Sequence, residues 1–544
     1  MKVRVYTILL LVLFLAAISC SRYENYTPTT EESKVIKITA TINNTSTRTE
    51  LGSWDEELLE YPLLWSYGDA IAIVNNGKIF KFELDAESDK STIGKFTCKE
   101  GEGFDETKPI QAFYPFEESV SYPPKGISIV DGEINYTIPK VQYHYDNTFY
   151  RSAALMAAYT ENASQTLAFD NLFGILKLQV LGTSSEKLRS IEVTNLSGLA
   201  MSGPTIVNIG NENYVTFTSK EFSDRRVRIE LGEGLTLSSA DPTTFHIVIP
   251  PGQHEWSIKF TTEGHTYYKS TTSLKTITAG NILKMPVVDL NSSDVIVPTE
   301  NSYFENDVYY GEGLTLPSKN NMVPDLLWAP VNCGYEKRCG EPDYSTSPTT
   351  PAPYQGFLYG KLFQWGRKDG VGYYDFNNPF WEFEHHYIPT VNEGSGVSNT
   401  ESNTFYMQWN PSNWEGNPCP SGWRVPTAAE LESILPSDSE TYSYYWSGLG
   451  EKYGMYLTGK TPIQKNEDGT PSVPFIGLQL SGAMYIDENG NVEPNENRNH
   501  GGYYWTYDKP TEQKAISLVV GFGSRIEFEY APVTQARAIR CVKD

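Results

Sequence analysis

The sequence has six cysteines and seven histidines, but no CxxC pair and no His/Cys cluster at zinc spacing. A structural zinc site is therefore not expected. It also lacks a glycine-rich phosphate loop, a nucleophile beside a base and a paired-carboxylate motif, the features that usually carry catalysis. Basic residues are scarce: 43 Lys and Arg stand against 67 Asp and Glu, a formal charge of −24. That balance disfavours phosphate backbones and anionic lipid surfaces, so no nucleic-acid partner is expected. Beyond the first residues no apolar run is long enough to cross a bilayer, and no long amphipathic helical pattern interrupts the chain.

At the N-terminus, Lys2 and Arg4 precede an apolar run from Ile8 to Ala17 and small residues before Cys20. This is the layout of a secretory signal, too short to span a membrane. Leu15-Ala16-Ala17-Ile18-Ser19-Cys20 resembles a bacterial lipobox, which implies cleavage before Cys20, lipidation of its sulfur and an outer-membrane anchor, at least in the precursor. Residues 1–19 are then the signal, and the polar, Pro/Thr-bearing residues 20–33 a tether. Excluding Cys20, Cys98, Cys333, Cys339, Cys419 and Cys541 remain, an odd number that leaves one outside any intramolecular pair.

From Lys34 the pattern changes. Ile36, Ile38, Ala40 and Ile42 alternate with Lys37, Thr39 and Thr41, the period of a strand with one buried face. Strand signals follow at Ala70–Val74, Ile79–Leu84, Ile110–Tyr114 and Tyr136–Pro139, then in a second block from Ala168 to Leu290, separated by Gly, Asn, Asp and Pro. Thirty-six tyrosines and eleven tryptophans against eight methionines suit such a chain. Short strands without intervening helices predict sandwiches.

Thr47-Arg48-Thr49, Trp65, Gly68-Asp69 with Ala70-Ile71-Ala72, Ala112-Phe113-Tyr114-Pro115, Phe169-Asp170-Asn171 and Gly174-Ile175-Leu176-Lys177 together resemble the fimbrillin-like proteins of Bacteroidetes type V pili. The resemblance covers about residues 34–292. It implies two transthyretin-like β-sandwich domains in series, over 34–167 and 168–292, in a protein exported to the cell surface. It also implies protease processing after an arginine beyond the first strand, with the vacated groove filled by a donor strand of another pilin subunit. Arg48 occupies that position, in an accessible Ser/Thr/Asn-rich stretch; the alternative is that Thr-Arg-Thr is only a turn.

Residues 293–302 read as a linker, after which aromatics become dense. Trp328-Ala329-Pro330, Tyr359 to Gly366, Cys419-Pro420-Ser421-Gly422-Trp423-Arg424-Val425-Pro426, Gly502-Tyr503-Tyr504-Trp505 and Arg540-Cys541-Val542 resemble the Fibrobacter succinogenes major paralogous domain. That family is similar to C-type-lectin-like and sulfatase-modifying-factor folds and implies an α+β C-type-lectin-like domain over 303–544. Within it, Thr427-Ala428-Ala429-Glu430 is a capping box, and Leu431, Ile434 and Leu435 give a short helix one apolar face. Cys419 and Cys541 are a plausible disulfide in an oxidising compartment, and Cys333 with Cys339 could close a small loop; connectivity does not follow from sequence.

Glu493-Pro494-Asn495 reproduces the tripeptide with which mannose-type lectins bind calcium and sugar hydroxyls, and Asp508 in Trp505-Thr506-Tyr507-Asp508 is a loose echo of their downstream motif. Chance in an Asn/Glu-rich segment is the competing explanation, so no cofactor is expected and calcium stands as the alternative. His385-His386 point to opposite faces if on a strand and form a poor chelate. Trp381, Trp409 and Trp414 could stack on sugar rings or fill a core. The fold class expected is thus mostly β, two sandwiches and a lectin-like domain. The function expected is a non-catalytic fimbrial tip subunit or minor pilin acting in adhesion, with a surface glycan or protein as ligand. The tip polarity follows from a chain that stops inside its last motif with no strand left to donate. The alternatives are a surface glycan-binding lipoprotein or pilus anchor and, from another class, an enzyme akin to sulfatase-modifying factors with a redox-active Cys541.

Overall fold

The structure is a computed structural model that describes residues 34–42, 50–51, 63–116, 127–130, 133–146, 148–183, 185–196, 199–209, 214–218, 224–271, 273–305, 307–334, 362–366, 417–435, 444–447, 454–457, 476–479, 483–486, 492–494, 501–509, 511, 514–521, 525–533 and 535–544. It is mostly β, with a single α-helix among the described residues. No described helix is long and apolar enough to cross a membrane.

Seven strands close into a barrel. In spatial order they are Ile36–Ile42 (β1), Ile93–Cys98 (β2), Lys78–Leu84, Ala70–Asn75, Ile110–Tyr114, Met156–Thr160 and Leu167–Asn171 (β3), which returns to β1. Strand alternation explains how this barrel is packed on two sides. Ile71, Ile73, Ala112, Tyr114, Met156 and Ala158 point into its core. Their neighbours Ala72, Phe113 and Ala157 point outward, yet are equally buried, under a second apolar layer that contains Ile134, Tyr136 and Ile138. The continuous apolar runs of these strands are thus the mark of a sheet covered on both faces.

The second unit pairs two sheets face to face. One has the order Val141–Tyr143, Arg226–Thr236, Lys187–Asn195, Trp256–Thr262, Thr266–Ser270; the other has Thr243–Ile249, Gly174–Leu181 and Ile282–Lys284, with Val288–Asp289 alongside. Leu176, Leu178, Val180, Ile191, Val193, Phe245, Trp256 and Phe260 fill the space between. A smaller sheet of Ile127–Val130, Glu133–Ile138, Gly203–Asn208 and Tyr214–Phe217 lies across the junction.

Three features differ from the sequence reading. The first unit closes into a barrel, because β1 is paired on both edges, a closure that the expected transthyretin-like sandwich did not specify. The boundary expected at 167/168 falls inside β3, a barrel strand, whereas Val141–Tyr143 pairs in parallel with Arg228–Glu230 of the second unit. Alternation tells which residues are buried, not which sheet covers them. The stretch read as a linker is docked as well: Ile296 and Tyr268 exchange backbone hydrogen bonds of 2.9 Å, and Val295 is buried.

Beyond residue 302 the described strands form several small sheets. One has the order Leu314–Leu316, Leu326–Trp328, Val542–Lys543 (β4), Trp423–Arg424; another is Gly501–Trp505, Lys514–Gly521, Arg525–Pro532. The helix Ala428–Ile434 (α1) packs Leu431, Ile434 and Leu435 into this core.

Candidate functional site

Two places carry the residues that the sequence singled out: the slot occupied by β1, and the sulfur-centred core of the C-terminal region.

β1 runs antiparallel to β2, with Ile36 opposite Cys98 and Ile38 opposite Phe96, and parallel to β3, with Ala40 opposite Leu167 and Ile42 opposite Phe169. Ile36, Ile38 and Ala40 are buried, while Lys37 is exposed. The floor of the slot is aromatic. Trp65 is fully buried and meets Phe96, Tyr114 and Phe169 edge to face, at centroid distances of 4.9, 5.7 and 5.7 Å. Two glycines let the chain come this close: a Cβ on Gly94 would stand 2.8 Å from Trp65, and one on Gly101 would stand 2.5 Å from Ile36. At the strand's start, the Gly101 amide donates to the Lys34 carbonyl at 3.0 Å, and Lys34 Nζ donates to the Phe104 carbonyl at 3.2 Å. At roughly 1.5–3 kcal/mol for a fully buried Ile side chain, β1 contributes several kcal/mol to the barrel through Ile36 and Ile38.

The Gly68-Asp69 pair shapes a turn on the same barrel. Gly68 takes φ +87°, a conformation open to glycine. Asp69 accepts from the Ser66 amide at 2.7 Å and from the Tyr114 hydroxyl at 3.0 Å. Cys20 and Arg48 both lie outside the described residues.

In the C-terminal region, Cys419 and Cys541 form a disulfide with a Cα–Cα distance of 6.0 Å, joining positions 122 residues apart. Cys333 stands beside them as a thiol, its Sγ donating to the Pro418 carbonyl at 3.1 Å. Backbone pairing of the Cys333 amide with the Ile539 carbonyl at 2.9 Å carries Cys333 into the core. Cys339, with which Cys333 was expected to close a small loop, lies outside the described residues.

The capping box forms as the spacing predicts. The Glu430 amide donates to Thr427 Oγ1 at 3.2 Å, and the Thr427 amide donates to Glu430 Oε2 at 2.7 Å. Arg424 completes it with two hydrogen bonds to the Glu430 carboxylate, at 2.8 and 2.7 Å. Burial opposes ionisation of Glu430, but the Arg424 hydrogen bonds and charge, with the Thr427 amide, outweigh it and hold the carboxyl below its ordinary range. Gly422, at φ +79°, makes the preceding turn, and Trp423 fills the core against Tyr303 at 5.1 Å.

Asp508 does not stand open to a cation: its carboxylate accepts from the Ala428 amide and so caps the start of α1. Glu493 is in a strand paired with Met484–Ile486, and Asn495 lies outside the described residues. Of the three residues proposed for calcium, only Asp508 has a described side chain. His385, His386, Trp381, Trp409 and Trp414 also lie outside them. The one group of metal-ligand type among the described residues is Cys333, Cys419 and Cys541.

Sequence reasoning missed two buried cations near the end of the chain. Arg540 donates to the carbonyls of Ala329, at 3.0 Å, and Gly477, and its burial pushes it down to about 10. Arg537 bonds Ser517 and Glu529 while its guanidinium lies 5.0 Å from the ring centres of both Tyr503 and Trp505. Their spacing on a short terminal segment was the only signal. The aromatic motifs interlock similarly: Trp505 Nε1 donates to the Phe363 carbonyl at 2.7 Å, and Trp365 Nε1 to the Thr506 carbonyl at 2.9 Å.

No protein-family model matches the chain, and no curated protein matches it. Solved structures to which it is similar include a Bacteroides ovatus protein provisionally assigned to cell adhesion, 13% identical, covering 47% of this chain and 95% of its own, with a TM-score of 0.31. A fimbrial protein from Bacteroides ovatus is 11% identical and covers 93% of this chain and 99% of its own, with a TM-score of 0.21. The tip fimbrial protein Mfa3 from Porphyromonas gingivalis is 11% identical and covers 43% and 80%, with a TM-score of 0.20. Likeness at this level assigns the chain to no family.

Proposed function

We propose that this protein is a cell-surface fimbrial subunit of adhesive, non-catalytic role, and that β1 is a removable strand whose slot accepts a donor strand from another subunit. The observation that carries the reading is the position of β1, paired on both edges, with Ile36, Ile38 and Ala40 facing the barrel core and Arg48 following within a polar stretch. Loss of β1 exposes the edges of β2 and β3 together with the pockets of its inward residues. An incoming strand then gains affinity from main-chain pairing and specificity from alternate side chains. Cys20 serves as the lipid attachment of the precursor in the outer membrane.

The C-terminal lectin-like region is the part presented to a surface glycan or protein. β4 is paired on both sides by Leu326–Trp328 and Trp423–Arg424 and follows a disulfide-bonded cysteine, so it belongs to the core of this region and is not itself a strand to donate. A second reading has its own support. With β1 in place the barrel is closed and its core filled, as suits an anchor or a glycan-capturing lipoprotein that is never cut.

N-terminal sequencing and mass of the protein taken from the cell surface, with and without trypsin-like protease activity, test both. A start at Thr49 in high-molecular-weight fibres supports strand exchange. A lipidated Cys20 start with no fibre association overturns it in favour of the second reading.

A further inference from the structure

The seats that β1 fills are unequal. Its inward residues face those of β2 in pairs, Ile36 with Cys98, Ile38 with Phe96 and Ala40 with Gly94. Directly opposed residues of an antiparallel pair place their Cβ atoms about 4.5–5.5 Å apart on one face, so each pair shares one space. Two glycines divide that space in opposite ways. At Gly101 the missing side chain makes room for the strand: a Cβ there would stand 2.5 Å from Ile36 Cδ1 and 2.8 Å from Ile36 Cγ1. At Gly94 it makes room for the barrel: a Cβ there would stand 2.6 Å from Phe96 Cε2, 2.8 Å from Trp65 Cδ1 and 2.9 Å from Trp65 Nε1. The two rings thus take the volume opposite position 40, and the seat filled by the fully buried Ala40 is narrow. The same indole brings a polar group. Trp65 is fully buried, and its Nε1 has no hydrogen-bond partner among the described residues. An indole N–H can only donate, and a buried donor left without an acceptor is costly. The methyl of Ala40 offers it none.

We infer that the β1 slot selects its occupant by seat: large aliphatic side chains at the places of Ile36 and Ile38, and serine, ahead of alanine, at the place of Ala40. A serine hydroxyl is small enough for the third seat, and its oxygen accepts from Trp65 Nε1. Leucine or a larger side chain is refused there by Trp65 and Phe96. The inference rests on the donor-strand reading above for what enters: a strand of another subunit with two aliphatic residues spaced two apart and serine two further on. β1 carries alanine at this seat and is the weaker occupant, so such a strand replaces it once the link at Arg48 is cut.

Cys98 supplies the readout. It is a buried thiol opposite Ile36, so its alkylation, followed on its own peptide by mass spectrometry, reports departure of β1. In the uncut full chain, Ala40→Leu is expected to speed that alkylation about tenfold or more, the effect of overpacking a filled core. Ala40→Ser is expected to slow it roughly threefold, as a net hydrogen bond would, and to lose that advantage in Trp65→Phe. Leucine tolerated as well as alanine, or serine faster than alanine, overturns the proposal, and these comparisons decide even where Trp65→Phe fails to fold. Strand entry is tested on the full chain cut after Arg48 and freed of its own segment in mild urea. Synthetic copies of residues 34–48 with Ala, Ser or Leu at position 40 are then added, and protection of Cys98 is read. Protection by the Ser and Ala copies at concentrations about tenfold or more below that of the Leu copy supports the proposal. Equal protection by all three overturns the selectivity and leaves the donor-strand reading standing, whereas protection by none overturns that reading itself.

Discussion

Ala40 is paired in parallel with Leu167, across the barrel seam that joins the first strand of the described chain to the last strand of its barrel. On its other edge Ala40 stands opposite Gly94 of β2. The position of β1 between these neighbours makes it both a structural closure and the element whose removal would open the fold.

If β1 closes the barrel by burial, Ile38→Ala should destabilise it by about 2–5 kcal/mol, the usual cost of a cavity at a buried Ile. Lys37→Ala, on the exposed side of the same strand, should change stability by less than about 0.5 kcal/mol. Urea unfolding of the two variants measures the contrast, and equal losses would remove the energetic basis of the slot.

Thr427→Ala should cost about 1 kcal/mol through loss of the N-cap of α1. Glu430 adds a pH dependence. Its folded carboxyl is held below its ordinary value of 4.5, so its contribution is complete above that value and is lost as pH falls through the lower, folded one. The melting temperature of Glu430→Gln should accordingly be lower than that of the parent at neutral pH, with the difference shrinking as the solution is acidified below 4.5.

His246 is buried beside Lys177, and burial first, then the Lys177 charge, pushes its imidazole down to about 4. A folded value below the unfolded one of 6.5 means that the unfolded chain takes up the proton first. The stability associated with neutral His246 is therefore complete above about 6.5 and declines as pH falls towards about 4. NMR titration of the His246 ring should show it neutral at pH 5.5; a protonated ring at that pH would contradict the burial argument.

Because Asp508 already caps α1, its carboxylate has a structural task. Asp508→Ala should cost about 0.5–2 kcal/mol, the range for a lost N-terminal cap, and calcium or a chelator should leave the parent's melting temperature unchanged. A calcium-dependent rise in melting temperature that Asp508→Ala abolishes would restore the metal reading.

The sequence by itself determined the local elements. The alternation of Ile36, Ile38 and Ala40 fixed a strand and its buried face, and Thr427 with Glu430 fixed the start of α1, since both follow from the geometry of a few adjacent residues. Tertiary structure alone decided which strands meet. Nothing local to Leu167–Asn171 marks it as the parallel neighbour of β1, or marks Val141–Tyr143 as an edge strand of the other unit. Nor does the spacing of Cys333 and Cys339 reveal that Cys333 sits against Cys419 and Cys541. Strand pairing and sulfur proximity are set by packing between segments far apart in the chain, where burial constrains the side-chain pattern but leaves the partner open.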